Sequence, residues 1–114
     1  MLMAPGPAPT DLQTMRFDFD GTRRPGGFTS VLVGVVGSGN LEVLVEPRDD
    51  DRCAVEIRTS ARGFETIWEA VLCNFHERHA LAGVRLSIND MGATPAVVSL
   101  RLEQAAAQLE EVSR

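Results

Sequence analysis

Between Ala61 and Gly83 the chain carries the pattern that most constrains its fold. Phe64, Ile67, Trp68, Val71, Leu72 and Phe75 recur at i, i+3, i+4, i+7, i+8 and i+11, which lines them along one stripe of a 3.6-residue helix. Gly83 is expected to stop that helix. An apolar stripe of this kind must be covered by another layer, and the flanking segments supply one. Before the helix, in Ala54–Thr59, Val55 and Ile57 alternate with Glu56 and Arg58. After it, Val84, Leu86 and Ile88 alternate with Arg85, Ser87 and Asn89. The period has changed from 3.6 to 2, the signature of strands buried on one face.

Upstream lies VLVGVVGSGNLEVLVEP, Val31 to Pro47. Two β-prone runs, Ser30–Val36 and Leu41–Glu46, flank Gly37-Ser38-Gly39-Asn40. This is a hairpin pattern closed by Pro47. Gly34, inside the first run, predicts a bulge or a close backbone approach. Downstream, NDMGATP (Asn89–Pro95) is turn chemistry. Ala96–Leu102 can be read as a strand, with Val98, Leu100 and Leu102 on one face, or as the start of a helix through Leu109. Adjacent Val97 and Val98 favour the strand, and Glu103–Val112 then forms a second helix. The expected order is β-β-β-α-β-β-α. The fold class is α+β, with a small, mainly antiparallel sheet of about five strands and two helices on one face.

Residues 1–14 are rich in Pro, Ala and Gly without periodicity and read as a disordered leader. Residues 15–114 then form one domain. The leader has no basic n-region, and no apolar run is long enough to span a bilayer. Two cysteines, Cys53 and Cys73, suit a cytoplasmic protein with free thiols. The 114 residues carry 16 acidic and 11 basic side chains, for a net charge of −5. That balance argues against a partner such as nucleic acid, which requires a basic face. Every basic side chain besides His is Arg, so chemistry that needs a lysine within this chain is excluded.

Several short motifs invite catalytic readings. DFDGT (Asp18–Thr22) is similar to the nucleophile motif of haloacid-dehalogenase-type phosphatases, with Asp18 as nucleophile and Asp20 as acid and base. Those enzymes place an apolar parallel strand before the first Asp, and LQTMRF is a weak one. The alternative is an edge segment ending in an Asp-Gly turn. GVVGSGN has glycines in the order G-x-x-G-x-G, and a β-run follows where a dinucleotide site needs a helix N-terminus. Cys73, His76 and His79 are spaced by three and drift around the helix, so a solvated helix end is expected and no metal site. Asp49-Asp50-Asp51 lacks calcium-loop spacing and reads as a turn. Ser38 keeps two local readings. It is part of a tight turn, or it is a reachable hydroxyl between small residues that another enzyme can modify.

Three segments taken together, VGSGNLEVLVEP, TSARGFETIWEAVL and RHALAGVRLSINDMGATPAVVSLRLEQA, resemble the acyl-carrier (delta) subunit of malonate decarboxylase over about residues 15–110. More distantly the chain is similar to the acyl carrier of citrate lyase, the alternative assignment. The resemblance implies a non-catalytic carrier. Its Gly-Ser-Gly serine falls on Ser38, which would bear 2′-(5″-triphosphoribosyl)-3′-dephospho-CoA through a phosphodiester and hold acetyl or malonyl as a thioester. It implies acyl-transferase and decarboxylase subunits as partners, with a holo-carrier synthase and a malonyl transferase acting on the chain, and no membrane. An acidic residue is expected after the second glycine in many relatives. Here that residue is Asn40, which serves a turn equally well.

Overall fold

The computed structural model describes residues 12–35 and 38–113, with backbone alone at 35 and 38–40. In chain order the elements are β1 (Gln13–Asp20), β2 (Val31–Val35), β3 (Ser38–Pro47), β4 (Arg52–Thr59), α1 (Glu65–His79), β5 (Val84–Asp90) and α2 (Pro95–Val112). The strands form one five-stranded sheet in the order β1-β4-β5-β3-β2. Three pairings are antiparallel, and β4 and β5, joined through α1, are parallel. A parallel pair needs a crossover element, and the amphipathic helix supplies it.

Alternation along the strands separates the two faces. Met15, Val31, Val43, Val45, Val55, Ile57, Val84, Leu86 and Ile88 are buried on the inner face. Both helices pack there, α1 through Trp68, Leu72 and Phe75, α2 through Val98, Leu102, Ala105 and Leu109. The outer face is laced with polar side chains. Arg16 and Arg85 share the Glu56 carboxylate at 2.8 and 3.4 Å, and Asn89 donates to Glu42 at 3.0 Å. These exposed pairs add little stability individually. They keep the uncovered face polar and so assign the inner face to the core.

The α+β class, the five mainly antiparallel strands and the two helices on one face stand as the sequence predicts. Their order is β-β-β-β-α-β-α, and two elements account for the difference. Ala96–Leu102 is helix, not strand. Thr94 caps it by accepting from the Val97 N–H at 3.3 Å, and Pro95 occupies the first turn. The buried series Val98, Leu102, Ala105, Leu109 follows i, i+4, i+7, i+11, and Leu100, which a strand would bury, is 54% exposed. At the other end, β1 begins at Gln13, two residues inside the segment read as a leader. Residues 1–11 lie outside the described residues.

Helix α1 buries Trp68, Leu72 and Phe75 of its predicted stripe, but Gly83 does not end it. Ala80 does, in a left-handed conformation (φ 46°), with its N–H donating to the His76 carbonyl at 2.7 Å. Phe64 and Ile67, at the stripe's edge, remain partly exposed. With Pro95 and Val98 they border a groove of about 300 Å³ between the two helix N-termini.

Candidate attachment site at the β2–β3 hairpin

Strands β2 and β3 pair regularly at Val31–Val45, Leu32–Leu44 and Val33–Val43. The register then shifts, so that Val35 faces Ser38. Residues 39–42 of β3 thus stand opposite the single residue Gly34, a large bulge in the hairpin. Gly34 takes φ +78°, which glycine adopts without strain. A Cβ at this position would lie 2.4 Å from the Leu41 carbonyl oxygen and 2.8 Å from Arg101 Nε. The bulge predicted from Gly34 is present, and the close approach predicted as its alternative is present with it.

Ser38 is the first residue of β3, and Gly39 and Asn40 continue the strand. The sequence places all three in the turn. The pairing of Val35 with Ser38 leaves only residues 36 and 37 between the strands. Val36 and Gly37 lie outside the described residues, as do the side chains of Val35, Ser38 and Asn40. On the other side of β3, Leu41 pairs with Asp90, the last residue of β5. Residues 38–40 therefore continue past the end of the neighbouring strand, and the hairpin overhangs the sheet.

Asp90 secures that end. It is buried, and its carboxylate accepts from Thr59 Oγ1 at 2.8 Å and from the Ala93 and Gly92 N–H groups at 2.8 and 3.2 Å. One side chain thereby ties β4, β5 and the turn into α2. From α2, the half-buried Arg101 reaches the base of the hairpin, where its Nη1 donates to Gln104 Oε1 at 3.0 Å. Sequence reasoning passed over Arg101 because it lay in a segment read as strand. The available signal was Thr94-Pro95, a helix start that places Arg101 one residue before the buried Leu102.

The other candidate residues are distributed elsewhere. Asp18 and Asp20 sit at the end of β1, an edge strand antiparallel to its neighbour, and both pair with Arg52. The phosphatase arrangement needs a parallel strand leading to the nucleophile, so that reading is set aside. His76 Nε2 lies 2.6 Å from the Asp20 carbonyl oxygen and its ring stacks on Phe19, whereas His79 Nε2 lies 2.9 Å from Glu103 Oε1. Cys73 is exposed. Among the described residues, no three His, Cys, Asp or Glu side chains could hold a metal together. Cys53 is buried, and burial pushes its thiol up to about 12, so it is protonated and inert at neutral pH. In the Asp49–Asp51 turn, the hydrogen bond from Arg48 and one from the Arg52 N–H hold Asp50 at about 2. Asp50 thus acts as an anchor of the turn.

Many of the described polar side chains are engaged in caps and surface pairs, and Ser38 begins β3 in an overhanging hairpin. The comparisons with known proteins place the chain among carrier domains. Residues 29–109 match the family described as malonate decarboxylase delta subunit. The malonate decarboxylase acyl carrier protein of Burkholderia cepacia is 67% identical over 101 residues, covering 89% of this chain and 94% of that protein. The protein of the same name from Xanthomonas euvesicatoria is 59% identical over 96 residues, covering 82% and 91%. A chain in the crystal structure of a Pseudomonas malonate decarboxylase hetero-tetramer in complex with malonate superposes with a TM-score of 0.76 at 36% identity, over 85% of this chain and 98% of that one. The chain belongs to the malonate decarboxylase delta-subunit family of acyl carrier proteins.

Proposed function

We propose that the chain carries acetyl and malonyl groups for a malonate decarboxylase on 2′-(5″-triphosphoribosyl)-3′-dephospho-CoA joined to Ser38. The observation that carries the reading is the overhanging β2–β3 hairpin with Ser38 at the start of β3, in a chain of this family. The geometry suits such a group. A long arm needs a rooted but protruding base, and β3 is rooted by pairing with β5 from Leu41 to Pro47. When bound, the group supplies a terminal thiol for thioester chemistry. The chain itself anchors it, keeps it clear of the core and presents it to partner subunits. Tethering converts each encounter between acyl group and active site into an intramolecular one at high effective concentration.

Its partners on this reading are the acyl-transferase and decarboxylase subunits of one complex, in keeping with a structural relative found in a hetero-tetramer. A holo-carrier synthase and a malonyl transferase act on it in turn. The overall charge of −5 disfavours loose adhesion of a polyphosphate arm to the protein surface.

Intact-mass spectrometry tests the attachment. Protein produced alone should have the mass of the bare chain, and co-production with its modifying enzymes should add the mass of the group. Peptide mapping should locate that mass on Ser38. Ser38→Ala should fold normally, remain unmodified and leave the complex without turnover. An added mass that persists in Ser38→Ala would refute the assignment.

A further inference from the structure

We propose that the free edge of β2, with the groove beside it on α2, is where a neighbouring protein subunit adds an extended strand to the sheet. The inference rests on the reading of the chain as one subunit of a malonate decarboxylase complex. β2 is the last strand of the sheet, so every second residue turns its N–H and C=O away from β3. Among the described residues, the backbone hydrogen bonds made outside helices and strand ladders leave β2 untouched. Another extended backbone satisfies such a row in register.

The two sheet edges differ in chemistry. β1 carries Arg16, Asp18 and Asp20, all exposed and all in ion pairs. A charged edge resists strand addition. β2 carries no charged residue, and none occurs anywhere from Pro25 to Leu41. Val31 is buried on the inner face, which turns Leu32 to the outer one, where it is 58% exposed. In a chain of net charge −5, this edge is neutral and apolar. The bulge at Gly34 ends the regular edge on the hairpin side. An added strand therefore covers Val31–Val33 and leaves the overhanging hairpin free.

The groove says what that strand should look like. It has a volume of about 420 Å³ and is lined by Val33, Gly34, Gln104, Ala107, Gln108 and Glu111. Helix α2 packs across β2 and β3, so the groove lies over the inner side of the position next to β2. Side chains that an added strand turns inward, at every second residue, enter it. Its lining is neutral except for Glu111, which has no ion pair among the described residues. The matching occupant carries small or apolar side chains at alternate positions and an Arg or Lys opposite Glu111. A second copy of this chain does not match. Its β2 offers no basic residue, and it brings a further charge of −5.

Hydrogen–deuterium exchange tests this on the free chain and on the complex assembled from co-produced subunits. In the complex, the amides within Val31–Val33 that face away from β3 should exchange about tenfold more slowly or better. Leu32→Lys and Ala107→Arg alter exposed side chains, so both should melt as the parent does, and each should weaken incorporation into the complex by about tenfold. Thr14→Lys, exposed on β1, is the control and should assemble normally. If a variant melts early, exchange in the parent chain decides alone. A complex that contains the chain, with Val31–Val33 exchanging as in the free chain, overturns the inference and leaves the subunit reading standing. A complex that forms without the chain overturns both. A free chain that sediments as a dimer with these amides already protected assigns the edge to a second copy and also overturns the inference.

Discussion

Gly34 shows how one missing side chain shapes the base of the β2–β3 hairpin. Its positive φ could be met by an Asn at modest cost, but the space above it could not, because the Leu41 carbonyl and Arg101 occupy it. Gly34→Ala should therefore destabilise the protein by about 1–3 kcal/mol, combining left-handed strain with a steric clash against backbone. A urea midpoint lowered without a change in slope is the expected result. Gly27, whose Cβ would meet nothing within 4 Å, is the control and should tolerate Ala. The sequence identified Gly34 as unusual but could not say what approached it, because Arg101 is distant in the chain. The motif around Ser38 is equally visible in the sequence, which predicts a turn there, whereas β3 starts at Ser38. Glycine-flanked serine is turn-like by composition, and cross-strand pairing overrides composition.

At the scale of elements, the two helix boundaries show opposite relations between local sequence and structure. Helix α2 starts with a strong local signal, Thr94-Pro95, and Thr94→Ala should cost about 1 kcal/mol by leaving the Val97 N–H without its acceptor. Helix α1 ends without one. Ala80 pays left-handed strain that glycine would not, so Ala80→Gly should raise stability by about 1 kcal/mol, a gain of several degrees in melting temperature for a domain of this size. The two substitutions move thermal unfolding in opposite directions, and calorimetry on the pair reads both. Helix α1 was recognisable because its apolar residues fit a single period. In α2, Val98, Leu100 and Leu102 fit a period of two while Val98, Leu102, Ala105 and Leu109 fit a helix. The ambiguity is real over seven residues and vanishes over fifteen. The strand reading stopped too early. Helix also wins because its buried series packs across β2 and β3 on the inner face.

For the whole molecule, the acidic side chains that anchor its corners define its response to pH. Asp50 is held at about 2, against an ordinary value of 3.8, through the Arg48 hydrogen bond and the Arg52 N–H. For Glu103, burial pulls its carboxyl upward, but hydrogen bonds from His79 and Arg78 outweigh that effect and leave it below its ordinary 4.5. Each carboxylate binds its proton more weakly in the folded chain than in the unfolded one. Their stabilisation is thus fully present above about pH 4.5 and is lost as pH falls toward the folded values, with Asp50 still contributing down to about pH 2. Denaturant midpoints measured between pH 6 and 2 should decline through this window. Asp50→Asn and Glu103→Gln should each flatten part of the decline. Both groups are partly exposed, so the slope should also weaken in high salt.

The sequence by itself determined the class of layers, the faces of most strands, the amphipathic helix and the serine-bearing hairpin. Those features depend on residues close together in the chain, whose periodicity follows from backbone geometry alone. The same residues carried the family resemblance. Only the tertiary structure decided that β4 and β5 run parallel around α1, that residues 95–112 form a helix, and that Arg101 lies across Gly34 at the base of the hairpin. The reason is physical. A local period fixes which side of an element is apolar, but which element covers it depends on contacts between residues far apart in sequence, selected by packing of the whole core.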